Sequence, residues 1–217
     1  QVMAEESYGP LDDQRYREYA NNIHESGKHL LAILNDILDV SRLETGVWQL
    51  VERDVDLNMV VDSVARMVRD RTTQAGLTLD ISCDADLAEV LADERMVRQM
   101  LLNLLSNAAK FTPEGGTISV QSLRTEAGES ILRVRDTGVG IAEENFEKIL
   151  MPFGQVENAL SRSTGGTGLG LSLVKSMIEL HDGEIRIEST PDEGTCFSLV
   201  FPSSRSAASR ADGQAAE

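Results

Sequence analysis

The sequence LLNLLSNAAKFTP, residues 101–113, lies at the end of a segment with the periodicity of an amphipathic helix. The pattern runs from Asp93 to Lys110, and Asp93 is a residue type that often caps helix N-termini. The apolar positions fall on one face and are Val97, Met100, Leu101, Leu104, Leu105 and Ala108. Such a face must be buried against other elements, so the segment predicts a layered domain.

Polar side chains border the apolar face of this helix. Asn103, Asn107 and Lys110 are spaced four and three residues apart, so they lie in one stripe. Half-buried amide and ammonium groups are costly unless a partner satisfies them. A nucleotide with a divalent metal would do so, because an amide oxygen can ligate Mg²⁺ and an ammonium group attracts phosphate. On this stripe alone, a polar helix edge hydrogen-bonded to a neighbouring loop remains an open alternative.

The remaining periodicity predicts a sheet that is covered by helices on one face. Further helices are expected from Leu57 to about Arg71 and from about Gly168 to Leu180. Strands are expected at Leu77–Ser82, Thr117–Leu123, Ser130–Asp136, Glu184–Ser189 and Thr195–Phe201. This order favours an α+β fold with one mixed, mostly antiparallel sheet in an α/β sandwich. The stretch between Gly140 and Gly165 lacks periodicity and is expected to form a lid.

The first part of the chain carries a long helical pattern of another kind. From about Asp12 to Glu44, apolar residues recur at spacings of three, four and seven, as in a helical hairpin or coiled coil. They are Ile23, Leu30, Ile33, Leu34, Ile37, Leu38 and Val40. One helix cannot bury so wide a face by itself, so homodimerisation is the expected solution. His24 and His29 lie on this helix and are expected to be ordinary solvated residues.

Composition limits the partners and divides the chain. We expect residues 1–48 to be a partial helical hairpin, residues 49–202 a globular domain, and the Ala-, Ser- and Gly-rich residues 203–217 to be disordered. The formal net charge of -16 argues against nucleic acid as a partner, which needs clustered Lys and Arg. Cys83 and Cys196 have no companions at metal-ligand spacing, so they are expected to be buried thiols. No apolar run is long enough to span a bilayer, so we expect a cytoplasmic segment whose membrane tether, if any, lies elsewhere.

Two glycine-rich segments could serve a nucleotide. Residues 136–140, DTGVG, follow a strand, where the carboxylate can accept a hydrogen bond from an exocyclic amine and the glycines admit a flat ring. Residues 165–171, GGTGLGL, run into a helix whose N-terminal amides and dipole favour phosphate oxygens. A P-loop or dinucleotide site does not fit, because the segment has no Gly-Lys-Ser/Thr ending and lies outside a strand-helix-strand unit.

In this order and spacing, the three segments resemble the N box and the two glycine boxes of sensor histidine kinases. The resemblance covers nearly the whole chain and implies the Bergerat-type ATP-binding sandwich of the GHKL superfamily. It implies that Asn107 binds Mg²⁺, that Lys110 contacts phosphate, and that Asp136 accepts a hydrogen bond from the adenine amino group. The other residues that it places at the ATP site are Asn103, Phe111, Gly138, Gly140, Ile141, Arg162, Gly166, Thr167, Gly168, Leu169 and Gly170. Residues 8–11 and 152–157 look most like the cell-cycle kinases of alphaproteobacteria.

The chain departs from the family pattern in two places. Leu150 and Met151 stand where the F box usually has Phe and an acidic residue. The packing of the lid is therefore expected to differ from that of the family, and this bears on Arg162, the lid residue that the resemblance places at the phosphates. No His-Glu-x-x-Thr-Pro motif occurs, so the phosphoacceptor histidine is expected upstream of residue 1. His181 stands at a position where the family implies a capping or packing role.

The resemblance implies a protein-histidine kinase region that delivers the γ-phosphate of ATP to a histidine, for relay to an aspartate of a response-regulator receiver domain. An ATP hydrolase of the gyrase, MutL or chaperone type is disfavoured. Those enzymes carry a Glu as general base where this chain has Asn103, which cannot take a proton at neutral pH. A nucleotide-binding signalling scaffold without a phosphoacceptor remains open at this point.

Overall fold

The computed structural model describes residues 14–44, 50–87, 89–156 and 167–207, which belong to two compact units that divide between Val47 and Trp48. The first unit contains one described helix, α1 (Gln14–Glu44). Of the predicted apolar stripe, five side chains are exposed: Ile23, Leu30, Leu34, Ile37 and Leu38. His24 is half-buried, and the side chains of Ile33, Val40 and His29 lie outside the described set. None of the described helices combines the length and the apolar character that a bilayer crossing needs.

The second unit consists of helices on one face of a mixed sheet, as the sequence predicts. Its strands are β1 (Arg53–Val55), β2 (Thr78–Cys83), β3 (Val90–Ala92), β4 (Thr117–Arg124), β5 (Ser130–Asp136), β6 (Glu184–Thr190) and β7 (Gly194–Phe201). Its helices are α2 (Leu57–Gln74), α3 (Glu94–Phe111), α4 (Phe146–Ile149) and α5 (Gly170–Leu180), with 3₁₀ turns at Glu143–Asn145 and Ser203–Arg205. The main sheet has the order β2-β4-β5-β7-β6, in which only β2 and β4 pair in parallel. β1 and β3 form a separate antiparallel pair.

The helix α3 lies in the centre of the core because its apolar face is buried along its whole length. Asp93 caps its N-terminus by accepting a hydrogen bond from Arg95 N–H at 3.0 Å, which confirms the predicted cap. The helix ends at Phe111, and the backbone N–H and hydroxyl of its C-cap residue, Thr112, both donate to Ala108 O, at 3.0 and 2.6 Å. Pro113 follows and cannot continue the helical hydrogen bonding. Both helix ends are therefore fixed by the local sequence.

The small sheet and the end of the chain differ from expectation. The predicted disorder from Ser203 onward is wrong for residues 203–207, since Ser206 is buried and bridges Val90. Ala207 N–H also donates to Glu89 O at 2.8 Å. Composition could not predict this pairing, because the partner residues lie more than a hundred positions earlier in the chain. Residues 208–217 lie outside the described residues.

Two smaller expectations are also modified by the structure. Cys196 is buried as predicted, whereas Cys83 on the edge strand β2 is only half-buried. The stretch from Gly140 to Gly165, expected to be an irregular lid, contains a 3₁₀ turn and the short helix α4. Of that stretch, residues 157–165 lie outside the described residues.

Arg205 is expected to stabilise the second unit. Its side chain is 11 % exposed and it binds Glu52 Oε1 at 2.6 Å, Asp182 Oδ2 at 2.8 Å and Leu91 O at 2.9 Å. Arg205→Ala removes all these bonds, so it should lower the free energy of unfolding by about 1–2 kcal/mol. Arg186→Ala is the matched control, because Arg186 is 47 % exposed and ion-paired at the surface, where the loss should stay below about 0.5 kcal/mol. Urea unfolding measures both, and equal losses would contradict the prediction.

Candidate functional site

The C-terminal end of α3 packs directly on the turn that follows β5. Val139 N–H donates a hydrogen bond to Phe111 O at 3.2 Å. A Cβ atom at Gly138 would lie 2.5 Å from that same carbonyl oxygen, so only glycine permits this approach. The first glycine segment is therefore held against the end of α3 that carries Asn107 and Lys110.

The hairpin of β6 and β7 holds the same turn from the other side. Gly140 has a φ of 64°, and a Cβ atom there would lie 1.9 Å from Thr190 O. Asp192 N–H donates to Val139 O at 2.8 Å, and Ile141 N–H donates to Ser189 Oγ at 2.8 Å. The turn thus has fixed contacts on both sides.

Asp136, the last residue of β5, is buried at this turn and is only 6 % exposed. Its Oδ1 accepts hydrogen bonds from Gly138 N–H at 2.8 Å and from Thr195 N–H at 3.3 Å. Burial raises the pKa of the carboxyl group, and these two hydrogen bonds oppose that rise. Among the described residues, neither bond uses Oδ2, so the carboxylate keeps an acceptor for a ligand.

The second glycine segment is joined to α3 through Asn103. Its Nδ2 donates to Gly170 O, at the first residue of α5, over 3.3 Å. Thr167 Oγ1 accepts from Leu169 N–H at 3.1 Å, and a Cβ atom at Gly168, where φ is 70°, would lie 2.8 Å from the backbone of Phe153. The N-cap residue of α5, Leu169, makes no side-chain capping bond. The first amides of α5 are therefore suited to an anionic ligand.

Lys110 is the cation of the polar stripe, and it is half-buried. Its Nζ lies 4.7 Å from the ring centroid of Phe111, within the range of a cation–π contact. Burial lowers the pKa of Lys110 from its ordinary value. Asn107, also half-buried, lies one helical turn earlier on the same side of α3.

These contacts join most of the residues that the sequence singled out. Asn103 contacts the second glycine segment, and Phe111 contacts the first. Arg162 and Gly166 lie outside the described residues, so their roles stay predictions, as do the ligand roles of the other site residues. The sequence reasoning missed Ser189 and Thr195, which bind the Asp136 turn from 48 and 59 residues away. The registers of β5 with β7 and of β6 with β7 bring them there, and no local pattern encodes those registers.

Two family models match the chain. The first, described as histidine kinase-, DNA gyrase B-, and HSP90-like ATPase, matches residues 92–205 and therefore includes every residue of the candidate site. The second, the His Kinase A (phospho-acceptor) domain, matches residues 1–46, which include α1.

Relatives with curated descriptions agree with these matches. The Non-motile and phage-resistance protein of Caulobacter vibrioides is 48 % identical over 205 residues, which are 93 % of this chain and 24 % of that protein. The Cell-division control histidine kinase PdhS of Brucella abortus is 37 % identical over 214 residues, which are 94 % of this chain and 21 % of PdhS. The chain therefore spans a quarter or less of the length of these relatives. Both organisms are alphaproteobacteria, in agreement with the resemblance seen in the sequence.

Solved histidine kinases have the same fold. Full-length ShkA in complex with AMPPNP matches with a TM-score of 0.77 and 29 % identity, over 93 % of this chain and 42 % of ShkA. Histidine kinase ThkA in complex with the response regulator protein TrrA matches with a TM-score of 0.68 and 26 % identity, over 89 % of this chain and 53 % of ThkA.

Asp136 is expected to lower stability in its ionised form. Because its pKa in the folded protein is raised above the value of about 3.9 for an unfolded chain, the folded protein binds more protons between the two values. Through this group, stability should therefore fall as the pH rises from the unfolded to the folded pKa, and stay constant above it. The amide of Asp136→Asn cannot ionise, but its oxygen can still accept the bonds from Gly138 and Thr195.

Asp136→Asn should therefore be at least as stable as the wild type at pH 7. The difference between the two free energies of unfolding should grow in favour of the variant as the pH rises through this window, by about 1.4 kcal/mol per unit of pKa displacement. Urea unfolding of both proteins from pH 4 to 8 measures it, since all other carboxylates are common to both. A difference that does not change with pH would contradict the prediction.

Proposed function

This chain belongs to the histidine kinase-, DNA gyrase B- and HSP90-like ATPase family, and on that premise we propose that it is the ATP-binding catalytic region of a protein-histidine kinase. The observation that carries the proposal is the position of α3. One hydrogen bond joins it to the second glycine segment through Asn103, and another joins it to the first through Phe111. Two glycine segments with nucleotide-binding chemistry are thereby assembled around the helix that carries the polar stripe.

The described residues divide the recognition of ATP between a base end and a phosphate end. At the base end, the Asp136 carboxylate accepts a hydrogen bond from the exocyclic amine, and Gly138 and Gly140 let the adenine ring lie against the backbone. At the phosphate end, Lys110 and the N-terminal amides of α5 attract the phosphate oxygens. Fixed contacts on both sides of the Asp136 turn support this arrangement, because a preorganised site loses little entropy on binding.

Asn107 fits a magnesium ion that arrives with the nucleotide. Its amide oxygen is a hard ligand, and Mg²⁺ in nucleotide sites takes few protein ligands, with phosphate oxygens and waters completing its coordination. The ion would neutralise charge on the transferring phosphoryl group. The chain's own contribution is to hold Asn107 and Lys110 on one rigid helical face, which positions the phosphates for in-line transfer.

Transfer to a protein side chain is favoured over hydrolysis. The Nδ2 of Asn103 donates to Gly170 O, and an amide cannot take a proton from a water molecule. The family relatives with histidine kinase in their names favour a kinase over the signalling scaffold that the sequence left open. The acceptor would be a histidine upstream of residue 1, since this chain has no His-Glu-x-x-Thr-Pro motif.

Two protein partners follow from this function. A second copy of the chain would cover the exposed apolar side chains of α1, such as Leu30, Leu34 and Leu38, which lie within the phospho-acceptor domain match. A response-regulator receiver domain would accept the phosphoryl group on an aspartate, and the complex of ThkA with TrrA supports this pairing. We place the region in the cytoplasm, with any membrane tether of the parent protein outside this segment.

Calorimetry with ATP, with and without Mg²⁺, tests the site. Asn107→Ala should abolish the gain in affinity that Mg²⁺ provides, because it removes the ligand oxygen. Asp136→Ala should weaken binding about tenfold or more with and without Mg²⁺, because the adenine amine loses its acceptor. Asn22→Ala is the control, since Asn22 is an exposed amide on α1. Wild-type affinity in both site variants would refute the assignment.

Incubation with γ-labelled ATP tests the acceptor. We expect the chain to stay unlabelled, because its histidines lack the acceptor motif and His181 is fully buried. Acid-labile label that disappears in His24→Gln or His29→Gln would show that the acceptor lies within this chain.

A further inference from the structure

The helices α3 and α5 are tied together at the end of the unit far from Asn107. His181, the C-cap residue of α5, is 0 % exposed. Its Nε2 accepts a hydrogen bond from Asp93 N–H at 3.0 Å, while its Nδ1 lies 2.7 Å from Met177 O. The ring is therefore neutral, with the proton on Nδ1, and it donates that proton to Met177 O. This agrees with the capping or packing role that the family resemblance implies, and it adds a bond to the N-cap residue of α3.

A second tie joins the same two helices about three turns away, where Asn103 Nδ2 donates to Gly170 O at 3.3 Å. At 1.5 Å per residue, about 15 Å of α3 separates Asp93 from Asn103, and about 17 Å of α5 separates Gly170 from His181. The helices run antiparallel between the two ties over nearly equal lengths. A slide of one helix along the other would break both bonds.

Asp93, which binds His181, also binds the backbone at the start of the second unit. The Asp93 side chain is 1 % exposed in its ion pair with Arg95, and its Oδ2 accepts a hydrogen bond from Val51 N–H at 3.0 Å. Val51 lies within residues 45–56, where the break in helical periodicity predicts a linker, although Arg53–Val55 form β1. Its side chain is 62 % exposed, and its backbone N–H is the group that ties it to the N-cap of α3.

We propose that Asp93 and His181 are positioning residues that set the register of α3 against α5, and thereby the spacing between Asn107 and the first amides of α5. The bond from Val51 makes this register sensitive to the backbone at the start of the second unit. The consequence for ATP rests on the proposed function. A displacement of about 1 Å in such an arrangement can cost about a hundredfold, so a change of register at Asp93 and His181 would alter nucleotide binding without direct contact.

A simpler role for His181 is packing. Its ring lies edge-on to Phe201, with centroids 5.9 Å apart and an interplanar angle of 79°. Packing alone would tolerate loss of the bond to Asp93 as long as the core stays filled. The two roles can therefore be separated by variants that keep one ring nitrogen's hydrogen bond and lose the other.

His181→Asn and His181→Gln make that separation. The amide nitrogen of the asparagine can replace Nδ1 as donor to Met177 O, but the shorter side chain cannot reach Asp93. The amide oxygen of the glutamine can replace Nε2 as acceptor from Asp93 N–H. Phe201→Leu, which removes the ring contact and leaves both hydrogen bonds, controls for lost stability.

Calorimetry with Mg·ATP on the full chain should give about tenfold weaker binding for His181→Asn, which lies within the usual range for coupling between sites. The affinities of His181→Gln and Phe201→Leu for Mg·ATP should stay within about twofold of the wild-type affinity. This should hold even if their thermal unfolding temperatures fall as far as that of His181→Asn. In the absence of nucleotide, the NMR signals of the Asn103 side-chain amide should move in His181→Asn and stay in place in His181→Gln.

Equal affinity in all variants, with unmoved Asn103 signals, would overturn the proposal. Loss of affinity that follows the loss of stability in all of them, Phe201→Leu included, would overturn it as well, since packing would then suffice. If the wild type itself fails to bind Mg·ATP, the proposed function fails, and the Asn103 signals still decide whether His181 sets the register.

Discussion

The burial of one face of α3 is the constraint on which the rest of the second unit depends. Leu101, Leu104 and Leu105 are no more than 1 % exposed, and each contributes about 1.5–3 kcal/mol through removal from water. A rotation of the helix by one residue would expose this face. Because Asn103, Asn107 and Lys110 share the helix, the packing of the core also fixes the direction in which their side chains point.

The first glycine segment shows how close packing can shape a polar site. A side chain at Gly138 would collide with Phe111 O, and one at Gly194 would lie 2.0 Å from Asp136 O. The backbone thus closes tightly around Asp136 and removes it from water, which raises the pKa of the carboxyl group. A buried acidic group with a raised pKa is a candidate for a functional role, which agrees with the proposed contact of Asp136 with adenine.

Regular elements could be predicted because their periodicity is long and local. The helix expected from Asp93 to Lys110 is found at Glu94–Phe111, and the strand Ser130–Asp136 is found as predicted. The strands β1 and β3 are too short to show alternation. The structured segment Ser203–Ala207 was not predicted, because its Arg205 binds Glu52 and Asp182, which lie near opposite ends of the domain sequence.

The sequence predicted the chemistry of the site, but it did not predict the long-range hydrogen bonds that hold the site together. The resemblance to the N box and the glycine boxes of histidine kinases marked Asn107, Lys110 and Asp136 as nucleotide ligands, and these roles remain proposals. The bonds from Thr195 to Asp136 and from Asp93 to His181 link residues 59 and 88 positions apart. Such bonds follow from sheet register and helix packing, which a single sequence does not spell out.

Asn103 connects the architecture of the unit to its chemistry. In a hydrolase of this family, a glutamate at this position would serve as general base. An ionised glutamate has no hydrogen to donate, and it would face the Gly170 carbonyl oxygen, another acceptor. This chain could therefore gain a base at Asn103 only by losing the bond that ties α3 to the start of α5. The amide that cannot activate water is thus also the group that holds α3 against the start of α5, where we propose that the phosphates bind.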